Sequence, residues 1–136
     1  MTTRDLHSNI KATPALNAQS IATNTTVNGA IIDTLGFESL EFLIQSATIT
    51  DGTYAPSLTE GSQANLSDGA TVAAADLIGT VSAATFVAAD DNVTKKLGYK
   101  GSKRYVRLSL TSTGVTTGGA MSGTAVLGDP HHAPVA

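Results

Sequence analysis

Gly98-Tyr99-Lys100-Gly101-Ser102-Lys103-Arg104-Tyr105-Val106-Arg107-Leu108-Ser109-Leu110 is the stretch whose reading decides the fold. From Tyr105 onward apolar and polar residues alternate: Val106, Leu108 and Leu110 fall on one side, Tyr105, Arg107 and Ser109 on the other. A period of two with β-branched and aromatic content predicts a central strand, over 104–112, with one buried face. Gly101-Ser102 predicts a hairpin connection from a preceding strand over 93–99, where Val93, Lys95, Leu97 and Tyr99 alternate with Thr94, Lys96 and Gly98.

Working outward, residues 38–49 give a second strong strand, with Leu40, Phe42 and Ile44 opposite Glu41, Leu43 and Gln45. Thr50-Asp51-Gly52-Thr53 is a tight-turn signal that predicts reversal into a strand at 53–60, anchored by Tyr54 and Leu58. Pro56 implies that this strand lies at an edge or is interrupted, because proline cannot donate to a ladder. Residues 15–34 predict two short strands, 16–24 and 27–34, with a turn or bulge at Asn28-Gly29. Residues 61–69 read as turn, 72–76 as a short helical turn or loop, and 77–88 as β structure. A last strand over 120–127 is expected to pair back on 104–112.

About eight short strands separated by turn signals predict an all-β domain, an antiparallel β-sandwich or jelly-roll-like fold. The expected division is an extended N-terminal arm over 1–15, ended by Pro14, a sandwich over 16–128 and a C-terminal tail over 129–136. Length agrees with one domain of 136 residues. The chain is rich in Ala, Thr, Ser, Gly and Val, with no Trp and 4% aromatics, so a core of small residues assisted by oligomerisation or a partner surface is expected.

There are no cysteines, which removes disulfides and thiolate metal sites. The start lacks the apolar run of a signal peptide, and no stretch approaches the ~20 apolar residues of a membrane-spanning helix. Synthesis in the cytosol is therefore expected, with no membrane partner. The net charge of −3 conceals a segregation: no Lys or Arg lies between Ala12 and Thr94, against nine acids, while Lys95 to Arg107 holds six of the eight bases and no acid. Such separation marks a candidate surface for a partner of opposite charge. The plainer reading is a solvated face in which neighbouring strands interleave the two signs.

The pattern Gly98-Tyr99-x-Gly101-x-Lys103-Arg104-Tyr105-Val106-Arg107-Leu108 resembles one in small head proteins of tailed bacteriophages. Thr3-Arg4-Asp5-Leu6-His7, Thr50-Asp51-Gly52-Thr53, Asp76-Leu77-Ile78-Gly79-Thr80 and Leu127-Gly128-x-Pro130-His131-His132-Ala133-Pro134 are similar in the same order, so the resemblance runs from Thr3 to Pro134. It implies a virion structural protein of the capsid decoration or cement kind. Such a protein is made in the bacterial host cytoplasm, sits on the capsid exterior as a dimer or trimer, and binds the major capsid protein. A neck or tail-tube component, or a carbohydrate-binding sandwich on the particle, are the alternatives.

The candidate partner interface is Arg4, Lys11, Lys100, Lys103, Arg104, Tyr105 and Arg107. No catalytic, cofactor or metal residue is assigned, and the chain is expected not to be an enzyme. His131-His132 has no acid or thiol at ligand spacing, so an exposed tail accounts for it. Asp90-Asp91-Asn92 and Asp68 lack the twelve-residue calcium-loop pattern and read as turns. Glu38 and Glu41 fall on opposite faces of one strand, and no Gly-x-Ser-x-Gly is present. Lysines beside Tyr99 and Tyr105 suit nucleic acid, but a pI near 5.4 favours an acidic protein partner instead.

Overall fold

The computed structural model describes residues 4–135, so the first three residues of the expected arm and the last of the expected tail lie outside the described residues. Nine strands follow in order: β1 (Lys11–Ile21), β2 (Thr26–Asp33), β3 (Phe37–Ile49), β4 (Thr53–Gly61), β5 (Ala70–Thr71), β6 (Leu77–Ile78), β7 (Thr94–Tyr99), β8 (Tyr105–Thr113) and β9 (Gly119–Pro130). They form two antiparallel sheets, β1-β9-β3-β7-β6 and β2-β8-β4-β5. The fold is all-β, an antiparallel sandwich.

The alternating residues meet between the sheets. Leu40, Phe42 and Ile44 of β3, Leu97 and Tyr99 of β7, and Met121, Ala125 and Leu127 of β9 face Tyr54 and Leu58 of β4 and Val106, Leu108 and Leu110 of β8. Each large side chain so buried contributes about 1.5–3 kcal/mol. The expected small-residue core is not what forms, since only Ala15, Ala84 and Ala125 among the buried apolar residues are alanines. The small residues lie mostly on the outer faces and in the turns, where they need fill no space.

Three pairings differ from expectation, for one reason. The Asp51-Gly52 turn joins β3 of the five-stranded sheet to β4 of the other, so it is a corner between sheets and not a hairpin. Gly101-Ser102 likewise carries the chain from β7 to β8 across the sandwich. The last strand pairs with β1 and β3, not with β8. A three-residue link spans at most ~10 Å, which is the spacing of packed sheets, so short turns can cross as well as reverse.

The strand ends move too. β1 begins at Lys11 and runs through Pro14, so the last five residues expected in the arm are strand. Pro14 is tolerated because β1 is an edge strand bonded to β9 alone. β9 continues to Pro130, and beyond it the His131 N–H bonds Gly36 O at 2.8 Å and the Val135 N–H bonds Ser8 O at 2.8 Å, pinning the tail. Of the β structure expected over 77–88, only Leu77–Ile78 is strand.

The two sides of the sandwich are closed differently. At the β1–β2 side the chain bulges between Asn28 and Ile31, and a Cβ on Gly29 would lie 2.0 Å from the Ala15 carbonyl oxygen. On the other side residues 79–93 fold over the gap, burying Ala84 and Phe86. Tyr54 and Phe86 exchange backbone hydrogen bonds of 2.8 and 2.9 Å. By the period of two, the missing N–H of Pro56 points to this same outer side, where no strand asks for it.

Candidate docking surface

Strands β2, β4, β7 and β9 run into one end of the sandwich and β1, β3 and β8 leave it. Residues 4–10, 34–36, 62–69, 100–104 and 131–135 therefore meet there. Of the expected interface, Arg4, Lys11, Lys100, Lys103 and Arg104 come to this end and are exposed, with Tyr105 half-buried beside them. Arg107 is two residues further along β8 on the outer face, between Ile31 and Thr59, half-buried and with its Nε buried without a hydrogen-bond partner.

The charge segregation of the sequence does not survive folding. Arg104 makes a two-pronged pair with Asp33 of β2, Nε to Oδ1 and an Nη to Oδ2 both at 2.8 Å, and its guanidinium lies 4.9 Å over the Tyr105 ring. That guanidinium holds the Asp33 carboxyl below its ordinary pKa. Lys95 pairs with Asp90 at 3.0 Å, donates to Thr85 O at 2.7 Å and sits 5.0 Å over Phe86. Among the described residues, no ion pair engages Lys100 or Lys103. Asp68 feels the charge of Lys103, but its carboxylate is already held by the N–H groups of Ser62 and Gln63.

Between the β2–β3 turn and the loop 100–104 lies a cleft of about 310 Å³. Phe37, Leu40 and Tyr99 line it on the apolar side, Lys103, Arg104 and His131 on the other. Tyr99 is fixed from both directions: its hydroxyl donates to Glu60 Oε1 at 2.6 Å and accepts the Lys103 N–H at 3.0 Å. Burial, and then the Glu60 carboxylate, push its pKa well above the ordinary tyrosine value. His131, expected in a plain tail, bonds Glu38 Oε1 at 2.5 Å.

Two exposed leucines at this end were not singled out, Leu6 at 67% and Leu35 at 66% exposure. Their signal in the sequence is an unpaired large apolar residue within a turn, as in Leu35-Gly36. The expected turn acids act as N–H acceptors: Asp90 for Val87 and Asp91 for Ile49. Among the described residues, no group of three or more His, Asp or Glu side chains is placed to hold a metal ion.

No protein-family model matches the chain, and no curated protein matches it in sequence. Solved structures do match. The PBSX exported protein XepA superposes on 87% of this chain at a TM-score of 0.56, with 17% identity. The likeness is one of fold. This chain spans 37% of the length of XepA. The SPBc2 prophage-derived protein YomS (14% identity, 87% of this chain and 93% of that one, TM-score 0.48) lies further off. So does VP2 of the infectious bursal disease virus subviral particle (14%, 90% and 32%, 0.46).

Proposed function

We propose that the chain is a structural protein of a bacteriophage particle, made in the host cytoplasm and recruited to the capsid exterior as a decoration or cement protein. It acts by binding alone. The observation that carries this reading is the collection, at one end of the sandwich, of Lys100 and Lys103, which make no ion pair among the described residues, with exposed Leu6 and Leu35, beside a cleft that Leu35 and Lys103 line. Apolar contact supplies adhesion and the two lysines supply orientation toward an acidic patch of the major capsid protein. The ordered resemblance of the sequence to small phage head proteins agrees with it. Many copies on a repeating shell, each a dimer or trimer, turn modest contacts into lasting attachment.

The test is co-sedimentation with expanded empty capsids that lack this protein. Saturable binding that is lost in Lys100→Glu/Lys103→Glu supports the reading; equal binding of the double variant contradicts it. Arg104 is left alone in this test because its partner is Asp33 of its own chain.

A further inference from the structure

The cleft at the charged end is bordered by backbone that the fold does not use. Among the described residues, no intrachain hydrogen bond engages Gly101 or Ser102, and across the cleft the Leu35 carbonyl and the Gly36 N–H are equally free. Gly36 sits at φ +91°, and a Cβ built on it would meet nothing within 4 Å, so nothing crowds the position a side chain would take. Facing polypeptide edges with unspent donors and acceptors are the feature that an extended peptide satisfies, since its own main chain carries matching groups.

The side chains around these edges are sorted by charge. Arg104 is matched by both oxygens of Asp33, and the His131 imidazole is hydrogen-bonded to Glu38, so each is engaged by an acid of its own chain. Lys103 is a cation of the cleft that makes no ion pair among the described residues. Below it Phe37, Leu40 and the Tyr99 ring give an apolar floor, and Leu35 stands exposed at the rim. The walls are set in advance, because Tyr99 is held between Glu60 and the Lys103 N–H, and Arg104 by both oxygens of Asp33. A segment entering such a cleft gives up its own conformational freedom but asks little rearrangement of the protein.

We infer that this cleft receives an extended acidic segment of a partner polypeptide, one carboxylate meeting Lys103 and the Gly101-Ser102 backbone while an adjoining apolar side chain lies on Phe37 and Leu35. This rests on the reading of the chain as a particle protein that docks by this end, and it narrows the partner from an acidic surface to a strand-like acidic segment. A flat patch would leave the cleft and its free backbone groups unfilled.

The experiment is a titration of the ¹⁵N-labelled full chain with the blocked peptide acetyl-Leu-Asp-Leu-Glu-amide to about 5 mM, followed by amide chemical shifts. The expected result is saturable movement confined to Gly36, Gly101, Ser102, Lys103 and His131. Binding should weaken about three- to fivefold in Lys103→Gln, as for an exposed charge pair, and similarly for the isosteric acetyl-Leu-Asn-Leu-Gln-amide. Lys103→Gln removes no intrachain side-chain bond, so the fold is expected to persist, which the unmoved amides of β3 and β9 verify. Equal affinity for the neutral peptide, shifts elsewhere on the sandwich, or no shift at all overturns the inference. So does movement of the same amides by glucose, galactose or N-acetylglucosamine in place of the peptide. Capsid co-sedimentation is read separately: docking without peptide binding removes the inference and leaves the proposed function, whereas peptide binding without docking does the reverse.

Discussion

The two ends of the sandwich are built from different chemistry. At the far end residues 22–25, 50–52 and 114–118 contain no lysine or arginine, and small side chains tie them to one another. Asp51 accepts the N–H groups of Thr116, Thr117 and Gly118 at 2.9–3.1 Å. Ser112, 2% exposed, accepts the Thr25 N–H at 3.0 Å and donates to the carbonyls of Thr23 and Thr25. Asn24 accepts the Val115 N–H, and the Tyr54 hydroxyl donates to Asp51 O. At the charged end the side chains instead reach one another through exposed pairs such as Arg104–Asp33, 45% and 44% exposed, leaving a cleft and, among the described residues, lysines such as Lys100 and Lys103 without an ion pair. One end spends its polar groups on the fold; the other keeps some for a partner. Exposed ion pairs add little stability, so the charged end is the cheaper one to alter.

Matched substitutions at the two ends put this contrast at risk. The largest effect is expected from Gly118→Ala, where the backbone has φ +105° and a Cβ would lie 2.0 Å from the Ile21 carbonyl oxygen. Backbone cannot yield there as a flexible side chain would, so the variant should fail to fold or lose more than ~10 °C in Tm by calorimetry. Next comes Ser112→Ala, which removes the buried hydroxyl that accepts the Thr25 N–H and donates to the Thr23 carbonyl. It should cost about 2 kcal/mol, roughly 5–10 °C, with capsid docking intact.

Asp51→Asn should destabilise in a pH-dependent way. The N–H groups of Thr117, Thr116 and Gly118 hold the Asp51 carboxyl below its ordinary value of 3.8. A carboxyl depressed in the fold gives stability that is fully present above the unfolded value and is lost as pH falls through the folded one. The Tm gap between wild type and Asp51→Asn should therefore be constant at neutral and mildly acid pH and close only below about pH 3.8. A gap that persists unchanged at lower pH would mean that the charge of Asp51 is not what holds the turn.

Gly36→Ala, at the charged end, has a similar φ of +91° but open space around it, so only the left-handed backbone resists. About 1–2 kcal/mol is expected, well short of Gly118→Ala. Smallest for the fold is Lys100→Glu/Lys103→Glu, whose Tm should stay within about 2 °C of wild type while docking is lost. If instead the lysine pair unfolds the protein, or Gly36→Ala proves as damaging as Gly118→Ala, the division between a structural and a contacting end is wrong.

Facing and period were legible in the sequence; partners were not. Val106, Leu108 and Leu110 lie in the core as their alternation predicts, because side-chain direction is a local property of an extended chain. Pro56 at a gap in the outer pairing of β4, which β5 flanks only at Thr59 and Glu60, and the bulge at Asn28-Gly29 were readable for the same reason, each being a statement about a few adjacent backbone groups. Which strand lies beside which is a long-range outcome, and Asp51-Gly52 looks the same in a hairpin as in a corner between sheets. The candidate surface shows the same limit. Lys100 and Lys103 emerge as free cations, but Arg104 and Lys95 are neutralised by Asp33 and Asp90, and His131 meets Glu38 from 93 residues away. A run of bases in sequence reports composition, and only the register of the strands decides which of them remain unpaired.

The most direct measurement is an electron-microscopy map of the particle at a resolution that fixes the orientation of this chain. The account predicts the sandwich on the outside of the capsid with residues 34–36, 100–104 and His131 against the shell and the turns 50–52 and 114–118 pointing away. A map in which the turns at 50–52 and 114–118 meet the shell, or in which the chain lies at the neck or along the tail, would contradict it.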